Sequence, residues 1–318
     1  MHPFSPAPAP EHTPTPTPEP APAVALPVRH GVGPSCVALP TFGQGTLLDF
    51  LTVRLPIVSR AVWCHRMLAG DVVDERGTPV QPDRLFEGGL RLYYYRDVPN
   101  EAALPFEATV LHQDDHLVVA DKPHFMPVTP SGDYLHSTLL VRLKHQLGLP
   151  DLAPLHRIDR DTAGLVMLSV QRPTRGAYHA LFSERRITKL YDAIAPWRAD
   201  VEFPRDHHSR MEESPQFFRM HEVPGIPNSH SRIEVLEVAG AWARYRLSPT
   251  TGKRHQLRVH MAALGLPLRH DPLYPAVVDT PTGDYTRPLQ LLAHTLAFID
   301  PLTGVQRRFQ SPQRLALP

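Results

Sequence analysis

His156-Arg-Ile-Asp-Arg-Asp-Thr-Ala-Gly-Leu-Val-Met-Leu-Ser169 sets Arg157, Asp159, Arg160 and Asp161 immediately ahead of an apolar run. Leu165 to Val170 reads as a buried strand, and the segment around His156 reads as a loop. Four charges beside a core element are costly to bury unless they pair. A loop mounted on a rigid strand is also a natural carrier for a reactive group. Gly164 sits at the junction, where the absence of a Cβ permits a turn or a close backbone approach. On composition alone, the same charges make a solvated turn with surface ion pairs worth roughly 0–1 kcal/mol each.

Outward from this stretch the chain alternates short strands and helices. Val110 to Gln113 and Leu117 to Ala120 are expected strands about a turn at Asp114-Asp115. Ser137 through Leu147 is an expected helix with Leu139, Leu140, Leu143 and Leu147 inward. Pro173 to Ser183 is a helix, Lys189 to Ala195 a strand, and Ile233 to Val238 with Ala241 to Leu247 a hairpin across Ala239-Gly240. His255 to Leu264 is a helix and Leu291 to Phe298 a strand. Residues 199–230, rich in Pro, His and Ser, read as an insertion or long hairpin. Without a strict βαβ rhythm, the fold class is α+β, not a doubly wound sheet.

Toward the N-terminus, Thr46 to Pro56 places Leu47, Phe50, Leu51 and Leu55 on one helical face. Ser59 can cap a second helix through Leu68, with Gly70 after its end. Val72-Val73 and Val80 flank a hairpin turn, and Leu90 to Arg96 is a strand. The 318 residues and 37 prolines include ten prolines in the first thirty positions. Such a segment is expected to be disordered or polyproline II, with order beginning near Phe42. It lacks the basic start and apolar block of a signal peptide. The expected domains are therefore a Pro-rich tail at 1–43, a small α/β domain at 44–100, and a larger domain at 101–318.

Net charge is +1 and charged residues make up 20% of the chain, which excludes a strongly basic coat. Two cysteines exclude a disulfide framework and fit a reducing cytoplasm. No apolar run of about 18 residues suggests a membrane span. Nineteen histidines raise the question of metal. His255 and His260, five apart, do not share a helical face as an i, i+4 pair would, and no cysteine accompanies them. A catalytic zinc is therefore not expected, and with no phosphate-loop or dinucleotide fingerprint, nucleotide-triphosphate or NAD chemistry is not supported. Local charge is less even: residues 156–190 hold seven Lys/Arg against three Asp/Glu, and residues 252–270 hold four against none. Such segments suit a focused RNA groove.

The opening stretch closely resembles the signature of the RluA-type pseudouridine synthases, His-Arg-Leu-Asp-Arg-Asp-Thr-Ser-Gly-Leu, departing mildly at Ile158 and Ala163. Glu184-Arg-Arg-Ile-Thr-Lys-Leu-Tyr-Asp-Ala193 resembles the family's second motif. Thr251-Gly-Lys-Arg-His-Gln-Leu-Arg-Val-His260, followed by Leu264 to Tyr274, resembles the third, with Lys253-Arg254 where Arg-Thr is usual and Arg269-His270 before Asp-Pro-Leu-Tyr. Leu291 to Phe298 resembles the closing strand. The likeness covers roughly residues 105–312, in the expected order. Upstream, two helices and a small sheet near Arg60, His65 and Arg66 resemble the S4-like RNA-binding fold, although the usual second basic residue beside Arg60 is missing.

The resemblance implies a pseudouridine synthase fold with a largely antiparallel central sheet and flanking helices. It implies an isomerase that converts uridine to pseudouridine within rRNA or tRNA, without cofactor or metal; no membrane and no obligate protein partner is expected, and a monomer is the default. Asp159 matches the family's catalytic aspartate. A carboxylate can attack an electron-poor carbon, stabilise an oxocarbenium-like sugar, or act as a base. Arg258 matches the arginine that pairs with it, expected as a bidentate partner that keeps it ionised. Tyr191 matches the active-site tyrosine, able to stack on a flipped uracil or transfer a proton. Arg157 matches the residue thought to fill the gap left by the flipped base. Arg160, Lys189, Lys253 and Arg254 are candidate RNA contacts, with Arg60 and Arg66 in the small domain. Two rivals stand beside this: a non-catalytic RNA binder, and a glycoside or nucleoside hydrolase using Asp161 or Asp271 as a second carboxylate.

Overall fold

Thr46 caps the first helix in a reciprocal box: its Oγ1 accepts the Asp49 N–H, and Asp49 accepts back from the Thr46 N–H. The computed structural model describes residues 27–29, 31–98, 101–215, 218–281 and 283–318. The chain divides into two compact units, one holding residues 33–96 and the other residues 28–32 and 97–318.

The smaller unit contains β1 (Ser35–Ala38), α1 (Leu47–Arg54), α2 (Arg60–Leu68), β2 (Val72–Asp74) and β3 (Arg91–Tyr94). Ser59 caps α2 as expected, accepting from the Val62 N–H. Leu47, Leu51, Trp63, Met67, Val72 and Leu92 form its core. The three strands run in the order β1-β3-β2. β1 corrects the sequence reading, because it lies inside the segment expected to be tail. Four residues between Pro34 and Pro40 give little periodicity, yet an edge strand tolerates prolines at its ends. The earlier part of the tail, residues 1–26, lies outside the described residues.

The larger unit begins with β4 (Thr109–Gln113), β5 (Leu117–Lys122), α3 (Leu139–Leu147), β6 (Ala153–Pro154), β7 (Ala163–Ser169), α4 (Arg172–Ser183) and β8 (Ile187–Pro196). It continues with β9 (Arg205–Glu213), β10 (Met220–Val223), β11 (Ser229–Ala239), β12 (Trp242–Pro249), α5 (Gln256–Ala263), β13 (Leu291–Ile299) and β14 (Gln306–Gln310). These strands form one sheet in the order β10-β9-β11-β12-β8-β13-β7-β5-β4, with β14 on β13 and β6 on β7. The one parallel pairing among them is β13 with β7; the rest are antiparallel, as expected.

Both β5 and β7 are buried along their whole length. This matches their continuous apolar character, which a sheet covered on both faces demands. Two differences have clear causes. In α3 the fully buried residues are Leu139, Val141 and Leu143, while Leu140 and Leu147 are half-buried. Val141 packs away from the main core, against Val32 and Leu135, so this helix is covered on two sides. Of the two readings of 199–230, insertion or long hairpin, the hairpin is the one found: β9 and β10 pair antiparallel and extend the sheet, with Ser209 opposite Ser229 on β11.

Candidate active site

Strand β7 enters the sheet through a very tight contact. Gly164 lies opposite Ala293 of β13, and a Cβ on Gly164 would sit 2.3 Å from the Ala293 carbonyl oxygen. Its φ of +109° is equally a glycine conformation. The loop ahead of β7 is held from several sides. The fully buried Lys122 ammonium donates to the carbonyls of Pro123 and Arg160, at 2.9 and 3.1 Å. His124 donates to the Asp161 carbonyl at 2.7 Å. His156 Nε2 accepts the Met167 N–H at 3.0 Å, and the ring stacks on Phe182. Burial pushes His156 down to about 3 and Lys122 down to about 7, in the latter against the pull of Asp161 and Asp159.

That loop presents Asp159 to a cleft of about 860 Å³. Asp159 Oδ2 accepts from Arg258 Nη1 at 3.2 Å. Arg258 projects from α5 and is 1% exposed. Its bidentate partner, however, is Asp271, reached at 2.8 Å through Nε and 2.6 Å through Nη2. This corrects the expectation of a bidentate Arg258–Asp159 pair: the guanidinium is clamped on one edge and offers Asp159 one N–H. Asp271 is itself fixed by the N–H groups of Leu273 and Tyr274. Arg258 remains charged because Asp271 and Asp159 together outweigh its desolvation.

Tyr191, on β8 opposite Leu247 and Ala293, lines the same cleft. Burial and the Asp159 charge push its hydroxyl well above the ordinary tyrosine range, so it stays protonated. The three residues expected to converge from separate segments therefore do so. Asp159 is the single carboxylate among the described residues lining the cleft, beside seven Lys/Arg: Arg157, Arg160, Arg185, Lys189, Lys253, Arg254 and Arg258. Arg157 is exposed on the wall beside Asp159. Arg160 pairs with Asp161 through Nε. Lys189 donates to the Thr251 carbonyl at 2.9 Å, and burial brings it down to about 8. Arg254 lies 3.5 Å from Glu213, and Lys253 is exposed. In the smaller unit, Arg60 pairs with Asp49 and Arg66 covers the Trp63 ring at 5.6 Å.

Sequence reasoning missed two groups at the site. Asp271 was considered only as a second acid for hydrolysis. Its side chain is 0% exposed and both oxygens are occupied, which removes it from that role. His255 caps α5 and faces Asp159, with Nε2 3.9 Å from Oδ1. Asp161, the other proposed second acid, points to Arg160. Elsewhere, His207, Glu222 and His260 bring donor atoms within 4.8 Å of one another. Both His260 ring nitrogens already meet serine hydroxyls, of Ser231, Ser229 and Ser209, so this group is accounted for as a buried hydrogen-bond network.

Comparison with known proteins agrees with this geometry. Residues 116–263 match the family model described as RNA pseudouridylate synthase. An uncharacterized RNA pseudouridine synthase of Synechocystis is 32% identical over 72% of this chain and 79% of its own. The ribosomal large subunit pseudouridine synthase D of Vibrio parahaemolyticus is 31% identical over 76% of this chain and 78% of its own. Among solved structures, human RNA pseudouridylate synthase domain containing 1 superposes with a TM-score of 0.53 at 23% identity, over 65% of this chain and 84% of that one. The lone acid facing a cationic cleft, the matched family segment and the extent of these alignments together lead to one conclusion: the chain belongs to the RluA-type RNA pseudouridine synthases.

Proposed function

We propose that Asp159, Tyr191 and Arg258 carry out uridine-to-pseudouridine isomerisation in structured RNA, rRNA or tRNA. Large-subunit ribosomal RNA is the first substrate to test, because it is named for the relative in Vibrio parahaemolyticus. In this reading the N1–C1′ bond breaks, the uracil turns within the cleft, and C5 joins C1′. C5 loses a proton and N1 gains one, so the atoms balance without hydrolysis or redox change. Asp159 faces the sugar as nucleophile, base or stabiliser of an oxocarbenium-like carbon. Tyr191, kept protonated, stacks on the base and supplies a hydrogen-bond donor. Arg157 fills the space vacated by the flipped nucleotide, while Arg160, Lys189, Lys253 and Arg254 contact phosphates.

The smaller unit is read as an S4-like RNA-binding domain, with Arg60 and Arg66 as its contacts. The chain is read as a monomer of the cytoplasm, consistent with two free cysteines. Among the described residues no helix is long and apolar enough to cross a membrane.

The observation that carries this reading is the single carboxylate, among the described residues, in a cleft lined by seven cations, 3.2 Å from a buried arginine. A hydrolase would require a second carboxylate there. The test is incubation of the wild-type chain and of Asp159→Asn with total RNA from cells lacking the gene, followed by mapping of pseudouridines. The variant should form no product while folding and binding RNA normally. Product at the wild-type rate would defeat the assignment of Asp159, and free uracil would favour hydrolysis.

A further inference from the structure

The third motif contains a histidine for which the reading above has no use. His255 has φ +55° at the N-cap of α5, and its side chain makes no capping hydrogen bond. A non-glycine residue in the left-handed region is strained and persists only where its surroundings hold it. The ring is instead drawn into a chain of contacts. Nδ1 is 3.0 Å from the Tyr274 hydroxyl, and that hydroxyl accepts the Met220 N–H at 2.8 Å. Tyr274 is clamped between two guanidinium groups, Arg219 at 4.9 Å and Arg258 at 5.4 Å from its ring centre.

Hydrogen-bond accounting favours one tautomer, in which the Tyr274 proton also finds an acceptor. The tyrosine oxygen already accepts from Met220, and its own proton finds its partner in His255 Nδ1. The imidazole proton then sits on Nε2, which faces Asp159 Oδ1 at 3.9 Å. Burial lowers the basicity of His255 more than Asp159 raises it, so the ring is neutral.

We propose that His255 is a positioning residue for Asp159: its Nε2–H steadies the oxygen that Arg258 does not hold, in a tautomer set by Tyr274 and the β9–β10 hairpin. The inference rests on Asp159 being the catalytic acid. It also gives the 199–230 segment a role, because Met220 belongs to that hairpin.

The test compares His255→Ala, His255→Gln and His255→Asn in the full chain. Single-turnover pseudouridine formation and filter-binding affinity are measured on total RNA from cells lacking the gene. Alanine should slow the reaction about tenfold or more while affinity changes less than about twofold. Glutamine, whose amide N–H reaches as far as Nε2, should restore much of the rate. Asparagine tolerates the left-handed backbone and can still meet Tyr274, but it stops short of Asp159 and should not rescue. Rescue by asparagine equal to or better than by glutamine would reduce His255 to a helix cap and overturn the proposal, as would a wild-type rate for alanine. If alanine fails to fold, the glutamine–asparagine contrast decides. Asp159→Asn in parallel separates the two readings. An active Asp159→Asn sinks the assignment of the acid itself. An inactive one beside a fully active His255→Ala sinks only the role of His255.

Discussion

Asp271→Asn should damage this protein more than a one-atom change suggests. Arg258 and Asp271 are 1% and 0% exposed at the side chain. The carboxylate accepts four hydrogen bonds, two from the guanidinium and two from the backbone of Leu273 and Tyr274. The amide can keep the backbone pair through its oxygen, but its NH₂ then opposes the Arg258 Nε–H. A buried guanidinium is left with Asp159 as its remaining counter-charge. Breaking a buried pair by removing one partner costs about 3–5 kcal/mol, about a fifth or more of the total stability of a domain with ~5–15 kcal/mol. The melting temperature should fall by roughly 6–20 °C at ~2–4 °C per kcal/mol. Pseudouridine formation should fall with it, since Arg258 loses the clamp that aims Nη1 at Asp159. Arg258→Met combined with Asp271→Leu removes both buried charges. That double variant should be more stable than Asp271→Asn while remaining inactive. Urea unfolding and single-turnover assays on all three proteins provide the check. A loss below about 1 kcal/mol for Asp271→Asn, or a double variant less stable than the single one, would refute the clamp argument.

Gly164→Ala places a methyl 2.3 Å from the Ala293 carbonyl oxygen at a φ of +109°; it should cost ~3 kcal/mol or more, read as soluble yield and urea midpoint. His260 is buried and pushed down to about 3 from an ordinary 6.5. The unfolded chain therefore takes up a proton as pH falls through 6.5 that the folded chain refuses, and stability is lost on acidification. This one group should account for about 2 kcal/mol between pH 7 and 5, and His260→Gln should shrink the measured drop by that amount. Lys253→Ala and Arg254→Ala should each flatten the salt dependence of RNA binding by about one unit of log K per log salt, measured by filter binding from low to moderate salt.

Much of the frame was legible because it obeys local rules. The cap at Ser59, the turn at Asp114 and the apolar runs of β5 and β7 each declare themselves within a few residues. β9 did not, because Arg205 to Glu213 is charged and polar along its length; its place comes from pairing with β11, not from its own periodicity. The site divides along the same line. Asp159, Tyr191 and Arg258 came from resemblance to a family. The roles of Asp271 and His255 depend on which residues meet across the fold. Arg258 alone looks like a surface charge on a helix; only the packed structure reveals that it is interior and anchored from the far side.

The strand order has a consequence for synthesis. β13, residues 291–299, inserts between β8 and β7 and joins the half of the sheet that carries Asp159 to the half that carries Tyr191. Everything up to residue 299 must therefore leave the ribosome before the centre of this sheet exists. Until then the early strands wait with an unpaired apolar edge, a hazard for aggregation and a natural point of chaperone engagement. Chains truncated before residue 291 should not modify RNA, so activity reports that β13 has been made and has closed the sheet.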